Sequence, residues 1–349
     1  MTDVIVKSQS GDFEEILTGI NTDTFVERWQ ENTSWELDFE VEKITSSNVS
    51  NGNEFAFEML THESSIFIDD QEFVVKKMNY SAQGNKLIKK ITAPHVYFTA
   101  QNGYQYNTMT GTKSALECLD FIFAGQLGNM GFSYEVIDKN NVLQKVEQEN
   151  FGNANYLKLM TEVLDDYGLA ILPNNKHLTF LPVEDYGDRL ENDIRYQYNT
   201  DSLSIDIDTL SLKTQIKGFG KQKDDGSYYF SPVTYTSSQA TVYGTRIQEP
   251  VVDDRYTSVG NMNRRLKIDL QDYPATVVQT NLRLAYNPSK GDFVMLIYEP
   301  LDICYDVKIV GFVKYLLIEQ KPPELTLSNT KKTATKIISQ IVKNLKGVR

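Results

Sequence analysis

Apolar and polar residues alternate with a period of two from residue 1 to about 107. Trp35, Leu37, Phe39 and Val41 alternate with polar neighbours, and so do Phe55, Phe57 and Met59. Ile66 and Ile68, then Phe73 and Val75, flank the turn sequence Asp69-Asp70-Gln71, and Ile91, Ala93, His95 and Tyr97 continue the pattern. Period two with polar partners predicts strands with one buried face, and this stretch reads as a small antiparallel barrel or sandwich. The period changes near Gly111. Thr112 or Ser114 is placed to cap a helix carrying Ala115, Leu116, Leu119, Ile122 and Phe123, which Gly125 or Gly128 ends. A short strand follows over 132–137. A second helical stripe, Tyr156, Leu159, Met160, Val163 and Leu164, closes at Tyr167-Gly168, and a hairpin is expected around Asn174-Asn175.

Strand patterning returns with Leu203, Ile205 and Ile207 between Ser204, Asp206 and Asp208, followed by Leu210, Leu212, Thr214 and Ile216. Asp224-Asp225-Gly226 marks a turn. Val259, Met262, Leu266 and Leu270 predict a helix. Strands are expected over 275–285, 292–298, 305–315 and 316–328, with a break at Pro322-Pro323. The last segment contains six bases and no acid, with Ile337, Ile341 and Leu345 four apart, the pattern of a basic amphipathic helix. The expected organisation is α+β and β-rich, with two antiparallel barrel-like domains. The first is discontinuous, 1–109 plus 199–245, split by an α/β insert at 110–198. The second spans 246–329, and the C-terminal helix spans 330–349.

Composition agrees with a folded, β-leaning chain. Of the 349 residues, 40% are hydrophobic, and 20 Tyr and 17 Phe supply most of the aromatics. The net charge of −12 argues against a nucleic-acid grip, which needs clustered Lys and Arg to displace counterions. The two cysteines, Cys118 and Cys304, lie in apolar runs and read as small buried hydrophobes in a reducing compartment. The N-terminal run lacks the apolar core of a signal peptide, and no run approaches the length of a membrane span. The expectation is a soluble protein that leaves the cell only within a larger particle.

Candidate chemistry is thin. Gly218-Phe219-Gly220-Lys221 lacks the spacing and the Ser/Thr of a phosphate loop. His62, His95 and His177 have no partner at a metal spacing, so each reads as a core or surface histidine. The pairs Asp69-Asp70, Asp165-Asp166, Asp224-Asp225 and Asp253-Asp254 fit turn chemistry better than two carboxylates facing one cleft. Asp206 and Asp208 share a strand face, but the ligand series of a calcium loop is missing. The residues therefore name no catalytic, cofactor or metal position. Trp29 and Trp35 sit in or beside strand-like sequence and read as core.

The runs TQIKGFGKQ at 214–222, PVTYTS at 232–237, VYGTRIQEPVVDDRYTS at 242–258 and GDFVMLIYEPLDICYDVKIVGF at 291–312 together resemble the prophage minor structural, or tail-associated, "endopeptidase tail" family. WELDFEVEK at 35–43, ESSIFIDDQEFVVKK at 63–77, ITAPHVYF at 91–98 and the insert at 111–136 agree, so the resemblance covers nearly the whole chain. It implies a fold similar to contractile-phage hub proteins and a structural role in a tail tip or baseplate. It also implies a homotrimeric ring that joins the tail tube to the distal tail protein, the tape measure protein and a fibre or receptor-binding component. DNA would pass through the ring without specific binding. Assembly is expected in the bacterial host cytoplasm and residence at the virion tail tip. Longer relatives carry C-terminal enzymatic or fibre domains, and this chain stops after the shared module, so no enzyme activity is expected. The competing expectations are a cell-wall hydrolase and a host-glycan-binding module.

Overall fold

The computed structural model describes residues 3–45, 52–283 and 289–328. The basic segment 330–349 lies outside them. The spine is one large sheet built from both halves of the chain. Its strands run Thr200–Asp208, Ala275–Leu282, Glu324–Ser328, Ile303–Lys314, Val26–Gln30, Ser34–Glu42, Lys86–Pro94 and Lys77–Gln83, each paired with the next. Phe293–Tyr298 pairs with both Ile303–Lys314 and Arg189–Arg195. The twelve-residue strand Ile303–Lys314 unites the halves, because its first part pairs with Phe293–Tyr298 and its last part sets Phe312 opposite Trp29.

The N-terminal half follows its period of two. Along Ser34–Glu42 every second residue is buried, so Trp35, Leu37, Phe39 and Val41 enter the core while Glu36, Asp38 and Glu40 face outward. A four-stranded sheet, Glu14–Ile16, Ile5–Lys7, Ser65–Ile68 and Gln71–Val74, contributes Val6, Ile66, Ile68 and Phe73 to the same core. Its hairpin turns at Asp69 and Asp70, whose φ angles of 48° and 61° suit short acidic residues.

The insert confirms its helical spacing. Ala115–Phe123 starts with a full capping box, Ser114 with Glu117. Tyr156–Tyr167 ends at Gly168 in the left-handed conformation. Both helices pack against a three-stranded sheet ordered Ser133–Val136, His177–Pro182 and Leu169–Asn174, whose first pair is parallel. A two-stranded arm, Tyr104–Lys113 with Val146–Asn155, connects them. Asparagines dock the insert on the N-terminal half. The Asn32 amide donates to the Leu169 carbonyl at 2.9 Å and accepts from the Ile171 N–H at 3.1 Å, so a side chain stands in for a strand neighbour. Asn175 does the same at the hairpin tip, accepting from Glu72 N–H at 2.7 Å and donating to the Asp70 carbonyl at 2.8 Å.

The structure departs from the sequence expectations at several places. Phe55, Phe57 and Met59 lie on the helix Glu54–Met59, where Ala56, Phe57, Met59 and Leu60 are buried at helical spacing and Phe55 is exposed. Three apolar residues two apart do not separate one helical turn from a strand. Tyr97 leaves the strand as well. Lys86–Pro94 ends at the proline, and His95 caps the helical turn Val96–Asn102 by accepting from the Tyr97 N–H. Thr200–Asp208, grouped by sequence with the N-terminal strands, pairs with Ala275–Leu282 instead. Between them residues 212–272 form a lobe with its own core of Ile216, Tyr256, Met262, Leu266 and Leu270. Alternation records which side chains are buried, not which strand lies alongside. Cys304, expected inside, is exposed, whereas Cys118 is buried.

Candidate functional site

His95 is fully buried. Its ring stacks on Trp35 with centroids 3.9 Å apart, and burial, with a contribution from the nearby Lys290 ammonium, pushes its pKa down to about 2. It is therefore a neutral core histidine. His177 behaves differently. The parallel pairing of Ser133–Val136 with His177–Pro182 brings Ser133 Oγ to 2.8 Å from His177 Nδ1 and Glu135 Oε1 to 3.5 Å from Nε2. A serine, a histidine and a carboxylate thus meet in one row, which the sequence did not reveal because 42 positions separate Glu135 from His177. The geometry lacks what makes such a row a nucleophile. The histidine and the carboxylate are each about half exposed, and the Ser133 N–H is engaged by the Lys176 carbonyl. Acyl-transfer sites instead bury the orienting acid and aim free N–H groups at the developing oxyanion.

The acidic pairs are structural. Asp225 accepts from the Ser227 N–H and hydroxyl, and Asp208 from the Leu210 N–H. Asp253 holds Arg255 through two parallel bonds. Among the described residues, no group of three or more His, Cys, Asp or Glu side chains is arranged to hold a metal ion. In Gly218-Phe219-Gly220 both glycines answer to packing. A Cβ on Gly218 would meet Met262, and one on Gly220 would meet the Tyr256 carbonyl and the Phe230 ring. No helix among the described residues is long and apolar enough to cross a membrane.

Several part-buried charges of the molecule sit where its parts meet. Lys308 Nζ bonds Glu31 at 2.7 Å and the Val183 carbonyl at 3.0 Å, joining the C-terminal strands, the N-terminal half and the end of the insert. Nearby, a cleft of about 500 Å³ is lined by Glu27, Tyr186, Lys290, Asp292 and Lys314, among others. Trp35 Nε1–H donates to Glu27 at 2.7 Å, and the Lys290 ammonium lies over the Trp35 ring. Burial pushes the Lys290 pKa down to about 6, opposed by Glu27 and assisted by Lys314. A second cleft, of about 400 Å³, separates the insert from the lobe. Val142, Leu143, Val146, Tyr256 and Ile268 form apolar wall, and Glu147, Asp166, Arg264 and Arg265 bring charge. Sequence reasoning missed these junction residues because each is an ordinary charge in its own strand or helix and gains meaning only across modules. Trp29 and Trp35 are buried, as their strand setting predicted.

Comparison with known proteins gives one coherent result. The sequence matches the prophage endopeptidase tail family over residues 188–338, its N-terminal domain over 4–95 and a further domain of that family over 102–180. Thr200–Asp208 and Ala275–Leu282, paired in the large sheet, both fall within residues 188–338. Prophage tail protein gp18 from Listeria monocytogenes EGD-e is 49% identical with 99% of each chain covered and a TM-score of 0.75. Two more distant structures share the fold. A tail protein from Neisseria meningitidis MC58 has 12% identity and a TM-score of 0.63, covering 96% of this chain and 98% of that one. The 43 kDa tail protein of prophage MuSo2 from Shewanella oneidensis has 10% identity and a TM-score of 0.65, covering 94% and 98%. No curated protein matches the sequence.

Proposed function

The chain belongs to the prophage endopeptidase tail family, and from that premise we propose that it is a structural hub of a phage tail tip, a homotrimeric ring joining the tail tube to the distal components. The observation that carries this reading is the single sheet running through both β-rich halves. A strand shared between two modules fixes their relative orientation, which a ring subunit needs to keep its neighbours in register. The end strands of that sheet, Lys77–Gln83 and Thr200–Asp208, each have a ladder partner on one side only among the described residues, and such edges template pairing with another chain. Three copies, each contributing two strand modules, would set six modules around the axis and so match a six-fold tube. Distal tail protein, tape measure protein and a fibre or receptor-binding component are the proposed neighbours. An acidic ring lets DNA pass without holding it, since a grip needs clustered bases. Assembly takes place in the host cytoplasm. Removing the coding sequence from an inducible prophage should abolish complete tails, and intact infectious particles without the chain would refute the proposal.

A hydrolase is the second reading, favoured by the endopeptidase name of the family and by the Ser133–His177–Glu135 row. A serine-directed fluorophosphonate probe and a cell-wall zymogram decide between the two. The structural reading expects neither labelling nor lysis. Labelling at Ser133 that disappears in His177→Ala would move the chain among the enzymes.

A further inference from the structure

The lobe 212–272 folds around its own buried cluster, apart from the main core, and it meets the insert through charge. Asp166, in the last turn of helix Tyr156–Tyr167, faces Arg265 Nη1 at 3.2 Å and Arg255 Nη1 at 3.5 Å. Its side chain is 11% exposed. Asn261 Nδ2 reaches Glu147 Oε1 at 3.3 Å beside it. Asp166 and both arginines also have a partner inside their own module. Arg255 is held by Asp253, Arg265 bonds Asp269 at 2.7 Å, and Asp166 accepts from Gln148 at 2.9 Å. Separation therefore leaves Asp166 and both arginines a hydrogen-bond partner each, which lessens the penalty that keeps a desolvated ion pair closed. The cleft between the two surfaces already leaves much of their apolar wall unjoined, and polar interfaces between modules permit relative motion.

We propose that Asp166 with Arg255 and Arg265 is a releasable latch, and that the lobe undocks from the insert as a folded unit. The lobe then moves about its two connections to the sheet, after Asp208 and before Ala275. This inference stands on the intramolecular contacts alone and holds whether or not the chain forms a ring.

Spin-label distances on the full chain test it. With the exposed Cys304 replaced by Ser and the buried Cys118 retained, labels at Thr161→Cys on the insert helix and Val252→Cys on the lobe, both exposed positions, report the separation of the two modules. Adding Asp166→Asn should enlarge a longer-distance population, because opening then no longer breaks the pairs with Arg255 and Arg265. Labels at Val242→Cys and Val252→Cys, both in the lobe, should keep one unchanged distance. An unchanged insert–lobe distance overturns the latch, and a lobe-internal distance that broadens to the same degree overturns the folded unit. The labelled chain that keeps Asp166 gives an independent reading under rising urea. The insert–lobe distance should lengthen at a lower urea concentration than the lobe-internal one, and loss of both in one transition contradicts the proposal.

Discussion

Lys308 is the residue on which three parts of the chain converge. With its side chain 7% exposed and that of Glu31 12% exposed, the pair is largely desolvated. Truncating one partner leaves the other charge buried, so Lys308→Met should cost about 3–5 kcal/mol in urea unfolding, and Glu31→Leu combined with Lys308→Met should recover much of that loss. Lys290 and His95 flank Trp35 and make stability depend on pH. Both are bases whose protonated forms the fold disfavours, so the unfolded chain takes up their protons first. Stability should fall as pH drops, from about 10.5 to about 6 through Lys290 and from about 6.5 to about 2 through His95. Urea midpoints across pH 6 to 10 check the first window. The Lys290 contribution has a limiting slope of about 1.4 kcal/mol per pH unit, and Lys290→Met should flatten it.

At the scale of elements, the sequence was most legible where local chemistry decides. Ser114 with Glu117, the Gly168 terminus, the Asp69-Asp70 turn and the Asn174-Asn175 hairpin all appear where capping and turn rules place them. Ser114→Ala should cost about 1 kcal/mol. Gly168→Ala should cost about the same, for a Cβ there meets open space and only the left-handed φ resists it. Gly187→Ala should cost clearly more, since its Cβ would run into the Gly291 carbonyl as well as adopting a positive φ. Thermal unfolding of the three variants gives that order. Legibility failed where tertiary context chose. The apolar run through Phe55 and Phe57 has no spacing long enough to separate helix from strand, and Thr200–Asp208 finds its partner only beyond a lobe of some sixty residues. The junction charges were invisible for the same reason. Asp166 lies in the insert helix, and Arg255 and Arg265 lie in the lobe.

For the whole molecule, one sheet crosses from the C-terminal strands to the N-terminal ones, asparagine side chains and the Lys308–Glu31 pair fasten the insert to it, and Asp166 pairs the insert with the lobe. Several part-buried charges join modules, and the exposed serine–histidine–glutamate row has a half-exposed acid and a serine N–H already engaged by a carbonyl. The proposal of a ring at the tail tip makes a stoichiometric demand that quantitative mass spectrometry of purified phage particles can read directly. Three copies of this chain per tail are expected, as a closed three-fold ring requires. Particles that lack the chain, or that carry it in the many copies of a tube or sheath subunit, would contradict a tip hub.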